Sequence, residues 1–476
     1  MRSLLSKRRY EALAILAFVV FGVIHGQTSE PLMGLTAEKG GVIHRLVQNL
    51  DGRVTTLLFR LRGPRPAHPD VVVMEIDERG AQRYGLWPWP REVVAKALDQ
   101  LLDADAKVIG LDIAFSDKSQ VNTREQAWLE TIQGVEALPP ALAPLKAELE
   151  QRVRTSPDEV LEAVFKKGGP RIVQGVVPFA AGQASSFTGE QRKVWQAELE
   201  GSVISRVPGS VKGSFKELPA LDVFPNTGAM APLPRFAAAG SRLGHFTTVP
   251  DSDSTIRRSP LLTHLDEPPG LLPSLALQVV AAQLDAQIVP EVPWKRLEGI
   301  RLARAGGDVV IPIEGESPMT LINYPGDANA FQRVSVVDVI DGKFDRAQVA
   351  GKAVLVGVTI IGSSGDQRVT PFSEFTAGVY THASLVSNTL RGDFLSRPEW
   401  LNWVEWALML VLGLAVAVIT PRVRNFAGKM LLMVSVIAGF SVLTFVLFTN
   451  GLKINWVVPA LHLTLTAYGT IFLGYL

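Results

Sequence analysis

The sequence predicts a mainly parallel α/β domain enclosed by membrane helices, one before it and three after it. Two observations carry that expectation. One short apolar segment near the N-terminus and three long ones at the C-terminus bracket a long water-compatible stretch. Within that stretch, two apolar runs flank a segment of helical periodicity, the pattern of a strand, a crossover helix and a second strand.

The first apolar segment, Ala12 to Ile24, follows Arg2, Lys7, Arg8 and Arg9, so the positive-inside rule places the N-terminus in the cytoplasm. No small-x-small cleavage site follows in His25-Gly26-Gln27-Thr28-Ser29-Glu30, and the segment reads as an uncleaved anchor rather than a signal peptide. Its strict apolar core is short, and Tyr10 and the flanks must help it span. Residues 1–29 are thus expected to hold the cytoplasmic N-terminus and first membrane helix.

Residues 399–476 are expected to form three more membrane helices, at about 401–420, 430–449 and 456–476. Their apolar cores, Trp406 to Thr420, Met430 to Thr449 and Trp456 to Leu476, lack charged side chains and approach the roughly 20 residues that cross hydrocarbon. Trp400, Trp403 and Trp406 mark the headgroup layer. Arg422, Arg424 and Lys429 follow the first of these helices, whereas the next loop, Asn450 to Asn455, holds only Lys453, so both chain ends lie inside. The last segment closes at Leu476 with no Lys or Arg stop, and a cytoplasmic output domain is expected beyond it.

Composition narrows the function classes. The 47 basic and 46 acidic side chains leave a formal charge of +1 and no basic run longer than Lys7-Arg8-Arg9, which excludes an electrostatic footprint for nucleic acid. A mean hydropathy of +0.20 fits a large core plus membrane helices. Cysteine is absent, so disulfides, thiolate metal sites and cysteine nucleophiles are excluded.

Residues 30–398 form the expected extracytoplasmic domain. Val71 to Asp77 and Lys107 to Phe115 are strands, and Arg91 to Ala104 is the helix between them, with Val93, Val94, Ala97, Leu98, Leu101 and Leu102 at helical spacing. A right-handed crossover of this kind brings Asp77 and Asp112 to one edge of a Rossmann-like sheet, where open α/β sheets bind ligands. Arg171 to Val177 and Ala353 to Thr359 read as further buried strands of that sheet. Ser156-Pro157-Asp158-Glu159 starts a helix that stops at Lys167-Gly168-Gly169. Gly182 to Pro219 reads as a surface excursion with a helix near Glu190 to Glu198, and Leu275 to Leu284 and Gly378 to Leu390 as helices.

Each candidate site residue has two readings. Asp77 and Asp112 suit a shared cation or polar ligand, and equally a turn or cap acceptor at a strand end. Asp366, after Gly362-Ser363-Ser364-Gly365, is expected near the same edge, where a divalent cation would meet three carboxylates and Arg91. Trp87 and Trp89 form a pocket wall or cover the core. Arg91 binds an anion or pairs with Asp77 or Asp112. Asp251-Ser252-Asp253 lacks the glycine and distal glutamate of a calcium loop and reads as a turn. His382 is expected to pack or cap in the helix that leads through Gly392 to Pro398, and this helix is the natural signal lever. No His-Glu-x-x-His, Gly-x-Ser-x-Gly or kinase loop occurs, so no catalytic residue is assigned.

Several ordered motifs resemble one family. Val73-Met74-Glu75-Ile76-Asp77, Gly85-Leu86-Trp87-Pro88-Trp89-Pro90-Arg91 and Ile109-Gly110-Leu111-Asp112-Ile113-Ala114-Phe115 come first. Gly244-His245-Phe246, Asp251-Ser252-Asp253 and Arg257-Arg258-Ser259-Pro260-Leu261 follow. Val354-Leu355-Val356-Gly357, Gly365-Asp366, Thr370-Pro371-Phe372 and Gly378-Val379-Tyr380-Thr381-His382-Ala383 close the set. Together they resemble the type-two CHASE domain, an extracellular sensory domain associated with cyclases and histidine kinases. Members often carry glycine where this chain has Ser254, so a left-handed turn residue there is expected to carry strain.

The resemblance implies a receptor in a bacterial inner membrane with a large periplasmic domain. It implies an output module of the adenylate or guanylate cyclase kind, with kinase or diguanylate cyclase as others. It also implies a homodimer, with the first and last membrane helices at its seam. The stimulus is an unidentified small molecule, ion or periplasmic protein. The rival expectation is a membrane-anchored periplasmic hydrolase that uses the same carboxylates for metal-assisted chemistry.

Overall fold

The computed structural model describes residues 2–29, 42–119, 128–132, 139, 142–154, 156–205, 225–292, 297–314, 318–362 and 367–473. The first helix, α1 (Arg2–Ser29), carries the apolar anchor. A second helix, α2 (Val42–Arg62), then leads into the domain, with Val47, Thr55, Leu58 and Phe59 buried. The sequence reading did not foresee α2, although its apolar residues form the single broad stripe of an amphipathic helix.

The domain is built on a seven-stranded, mainly parallel sheet. Its strands are β1 (Val71–Ile76), β2 (Val108–Leu111), β3 (Ile172–Phe179), β4 (Gly228–Met230), β5 (Arg242–His245), β6 (Gln332–Ser335) and β7 (Ala353–Val358). From one edge the order is β6, β1, β7, β2, β3. Beyond β3, β5 pairs in parallel with its first half, and β4 pairs antiparallel with its last residues. Register is continuous through the centre: Val73 lies opposite Leu355, and Leu355 opposite Gly110. The four strands expected from sequence all belong to this sheet; β5 and β6 were too short and polar to read alone.

Alternate residues of the central strands feed two cores, as a sheet covered on both faces requires. Val72, Met74 and Ile76 pack with α3 (Arg91–Asp103) and α4 (Pro157–Gly168). Val71 and Val73 pack with α5 (Leu275–Gln283) and α6 (Val379–Arg391). The second pair of helices sits close because glycine faces it: a Cβ on Gly110 would lie 2.5 Å from Val279, and one on Gly357 2.5 Å from Val379. The expected caps hold, with Ser156 accepting from the Asp158 N–H at the start of α4 and left-handed Gly392 (φ 66°) ending α6. The helix expected near Glu190 spans Gly189–Leu199, while residues 206–219 of the surface excursion lie outside the described residues.

After α6 the chain enters α7 (Trp400–Ile419), α8 (Phe426–Thr449) and α9 (Val457–Leu473). Among the described residues, two segments, not the expected four, are long and apolar enough to cross a membrane: Trp400–Arg422 and Phe426–Thr449. The apolar parts of the first and last helices, Tyr10–His25 and Val457–Leu473, are shorter. A 17-residue helix rises only about 26 Å, and residues 474–476 lie outside the described residues. All four helices nevertheless associate. Phe18 of α1 meets Trp406 of α7 edge-on at 5.7 Å, and Phe21 meets His462 of α9 at 5.9 Å. Gly22 and Gly413 permit this approach, since Cβ atoms there would lie 2.9 Å from Trp406 and 2.5 Å from His462.

Candidate functional site

The described residues expected at the sheet edge have partners within the fold. Asp77 caps the helix Glu78–Tyr84, its carboxylate accepting from the Gly80 N–H at 3.0 Å. Arg91 is committed elsewhere: it pairs with Asp158, donates to the Asp117 carbonyl, and lies over the rings of Phe115 and Phe236 at 5.7 and 5.2 Å. The expected pairing of Arg91 with Asp77 or Asp112 is therefore replaced by a helix-to-helix ion pair, since Asp158 opens α4 beside the start of α3. Trp89 is buried in the core, donates to the Gly85 carbonyl at 2.8 Å and packs edge-on against half-buried Trp87. The pair covers the sheet, as its bland reading held. Asp366 lies outside the described residues. A cavity of about 300 Å³ opens at the other edge, lined by Val72, Gln332, Arg333, Asp345, Gln348 and Lys352, away from Asp112.

Asp112 has a different partner. Its side chain is buried at the end of β2, with Oδ1 3.8 Å from Nε2 of His382 on α6, while Oδ2 has no hydrogen-bond partner. Burial pushes its carboxyl up to about 7, against the opposing charge of Arg368. His245, at the end of β5, is fully buried with both ring nitrogens unpartnered. Burial, with the nearby His382, pushes it down to about 3. Sheet edge and α6 thus meet at buried titratable groups, Asp112 and His382, with His245 nearby. His382 packs, as expected, but does so against a carboxylate.

Among the described residues, a dense ionic constellation lies where the domain meets the apolar helices. Arg257 holds Asp251 at 2.8 Å and Asp253 at 2.8 Å, and reaches Thr56 of α2 at 2.7 Å. The Asp251-Ser252-Asp253 segment is thus a turn closed by arginine, and Ser254 adopts the strained left-handed conformation (φ 64°) expected there. Arg258 bridges Asp251 at 2.5 Å to Glu314, and Glu314 lies 3.7 Å from Nζ of Lys453 in the loop between α8 and α9. Burial alone would raise Glu314, but the Arg258 and Lys453 charges override it and hold it at about 2. Burial lowers Lys453 against the charge of Glu314.

One step on, Arg397 grips Glu405 of α7 through two bonds of 2.6 and 2.8 Å and donates to the Lys453 carbonyl. Glu405 also lies 2.7 Å from His25 of α1 and accepts the Asn455 N–H at 2.7 Å. Asp51 of α2 accepts the N–H groups of Trp456 and Val457 and so caps α9. Five carboxylates (Asp51, Asp251, Asp253, Glu314, Glu405) therefore interleave with four cations (Arg257, Arg258, Arg397, Lys453), with His25 beside them. Such groups are held only when mutually satisfied, because each unpaired buried charge costs several kcal/mol. Parts of the domain and the helices α1, α2, α7 and α9 are thereby fastened together.

Sequence reasoning missed this junction. Pro398, the expected relay residue, is half-buried and precedes α7 directly after Arg397. Glu405 was overlooked because the apolar core was begun at Trp406, one residue later. A carboxylate one turn inside a membrane helix is itself a functional signal, and would have pointed here.

A family model described as the CHASE2 domain matches residues 32–419. No curated protein and no solved structure matches the chain.

Proposed function

The chain belongs to the CHASE2 domain family, and on that premise we propose that it is a bacterial inner-membrane receptor that relays a stimulus inward. The family assignment makes the α/β domain an extracellular sensor of signal transduction. The reading beyond that is ours. The Rossmann-like sheet responds to a small molecule, ion or periplasmic protein, a divalent cation at Asp77, Asp112 and Asp366 being one candidate. Four membrane helices carry the response to a cytoplasmic output domain, with a class III adenylate or guanylate cyclase as first choice.

The observation that supports this reading is the ionic chain from Asp251 through Arg258, Glu314, Lys453, Arg397 and Glu405 to His25. A stimulus shifts a receptor only if it binds two arrangements with different affinity. A displacement of the strand bearing Arg258 then has a stiff path to α1 and α7, because detaching one buried partner costs about 3–5 kcal/mol.

Two measurements test the proposal. Alkaline phosphatase fused after residue 398 should be active and green fluorescent protein fused after Leu476 should fluoresce; the reverse pattern would overturn the topology. A cyclase catalytic domain joined after Leu476 should change its basal cyclic nucleotide output at least threefold when Glu405→Gln is introduced at equal membrane abundance. Unchanged output would remove the relay role of the junction.

A further inference from the structure

We infer that the cavity at the β6 edge of the sheet binds a small zwitterion, the ligand's carboxylate lying on Lys352 and its ammonium on Asp345. This rests on the proposed receptor role and deepens it by naming the chemical class of the stimulus. The cavity of about 300 Å³ is at the small end of the roughly 300–1,000 Å³ that ligand sites occupy, so its occupant is of amino-acid size.

Three stretches of chain build the cavity. β6 pairs with β1 at the end of the sheet, which leaves Gln332 and Arg333 exposed beside Val72 and Val73. The segment that leads into β7 closes the other side with Asp345, Gln348 and Lys352. Val72 is buried and supplies the apolar part of the lining; the other residues supply charges and amides.

The opposite charges in this lining are not spent on each other. Nζ of Lys352 donates to the amide oxygen of Gln332 at 3.0 Å, and the Asp345 carboxylate accepts the Ala347 N–H at 3.0 Å, capping the single turn Arg346–Gln348. Among the described residues neither side chain forms an ion pair. An ammonium has three donors and a carboxylate about four acceptor positions, so both keep capacity for a ligand. A simple anion or a simple amine would meet one of these charges and face the other unfavourably. A molecule that carries a carboxylate and an ammonium a few bonds apart meets both, through the stronger, charge-assisted kind of hydrogen bond.

Arg333 connects the cavity to α6. Its guanidinium lies 3.7 Å from Glu75 of β1 and bonds Asn329 at 3.1 Å, while Glu75 accepts the hydroxyl of Tyr380, in the first turn of α6, at 2.6 Å. A ligand carboxylate beside Lys352 draws the Arg333 guanidinium toward the cavity and loosens its hold on Glu75. The partner of Tyr380 then changes its charge environment, and α6 is the helix that leads on toward Arg397. A ligand that favours one position of Arg333 in this way shifts the population of α6 arrangements.

Calorimetric titration of the full chain in lipid nanodiscs, near neutral pH and at fixed ionic strength, tests the site. The probes are glycine, L-alanine and L-serine, with sodium acetate and ethylamine as one-charge controls. Saturable binding of at least one amino acid is expected, about tenfold tighter than either control. Asp345→Asn, which keeps a cap acceptor, and Lys352→Gln, which keeps a donor toward Gln332, should each weaken it about fivefold or more at an unchanged unfolding midpoint. Three outcomes overturn the inference: no saturation with any of the three amino acids; acetate bound as tightly as they are, which makes the cavity a plain anion site; and affinity unchanged in both variants, which puts the ligand elsewhere. The titration needs no output domain, so its failure is separate from failure of the relay. In a fused cyclase that responds to the bound amino acid, Tyr380→Phe should abolish the response; a retained response overturns the route through Glu75.

Discussion

The carboxylate of Asp51, in the helix that enters the sensory domain, accepts the backbone N–H groups of Trp456 and Val457 at the start of α9, both at 3.0 Å. One helix thus supplies the N-cap of another some 400 residues away in sequence. Burial raises the Asp51 carboxyl, and the two N–H groups pull it back down. Asp51→Ala should lower the stability of the detergent-solubilised full chain by about 1–2 kcal/mol, the upper range for loss of a cap. Asp51→Asn, which keeps an acceptor oxygen, should recover most of the loss. Equal unfolding midpoints for Ala and wild type would show that the cap holds nothing in place.

At the next link of the junction, Glu405→Gln leaves Arg397 buried without its full countercharge. The expected cost is about 3–5 kcal/mol, seen as an earlier thermal transition of the solubilised chain. Replacing both partners, Arg397→Met with Glu405→Leu, should cost less than Glu405→Gln alone, because no uncompensated charge remains. A double variant weaker than the single one would contradict the pairing.

For Asp112 the sign of the pH dependence follows from its folded state binding a proton up to about 7, well above the ordinary carboxylate range. The stabilising contribution is full below the unfolded value near 4 and is lost as pH rises through about 7. His245 opposes it: held down to about 3 when folded, it costs stability as pH falls below its unfolded value near 6.5. The melting temperature of wild type minus that of Asp112→Asn should therefore become more positive as pH falls from 8 to 5. Wild type minus His245→Gln should become more negative over the same range. Flat differences would mean that neither group titrates inside the fold.

Gly357 is set by close approach rather than by turn geometry. Gly357→Ala would bring a methyl to 2.5 Å from Cβ of Val379, forcing α6 off the sheet. The expected loss is about 1–3 kcal/mol. Because α6 carries His382, the wild-type pH dependence assigned to Asp112 should shrink as well. Retention of both stability and pH profile would place α6 further from β7 than described.

What could be read from the sequence was local or ordered along the chain. The four expected strands are continuous apolar runs with β-branched residues, a pattern produced by burial on both faces and visible without any contact map. The Ser156 cap and the Gly392 stop rest on backbone chemistry within a few residues. Ser254 could be singled out because a left-handed residue is a property of one position. Misreadings arose where a residue had to choose a partner. Arg91 had two carboxylates in view on the same sheet edge, yet pairs with Asp158, 67 positions away. Asp112 was expected to face a ligand or a turn and faces His382.

The ordered motifs were sufficient to determine the family, and composition and periodicity along the chain sufficed for the mainly parallel α/β core and for two helices long and apolar enough to cross a membrane. Only the tertiary structure decided that Arg258, Glu314, Lys453, Arg397, Glu405 and His25 form one buried chain, and that Asp51 caps α9. Those residues come from six separated stretches, and apart from His25 and Glu405, which sit in apolar helices, each alone looks like an ordinary surface or loop charge. A buried ion pair is specified by where two elements bring opposite charges together out of water, a property that no single stretch of sequence carries.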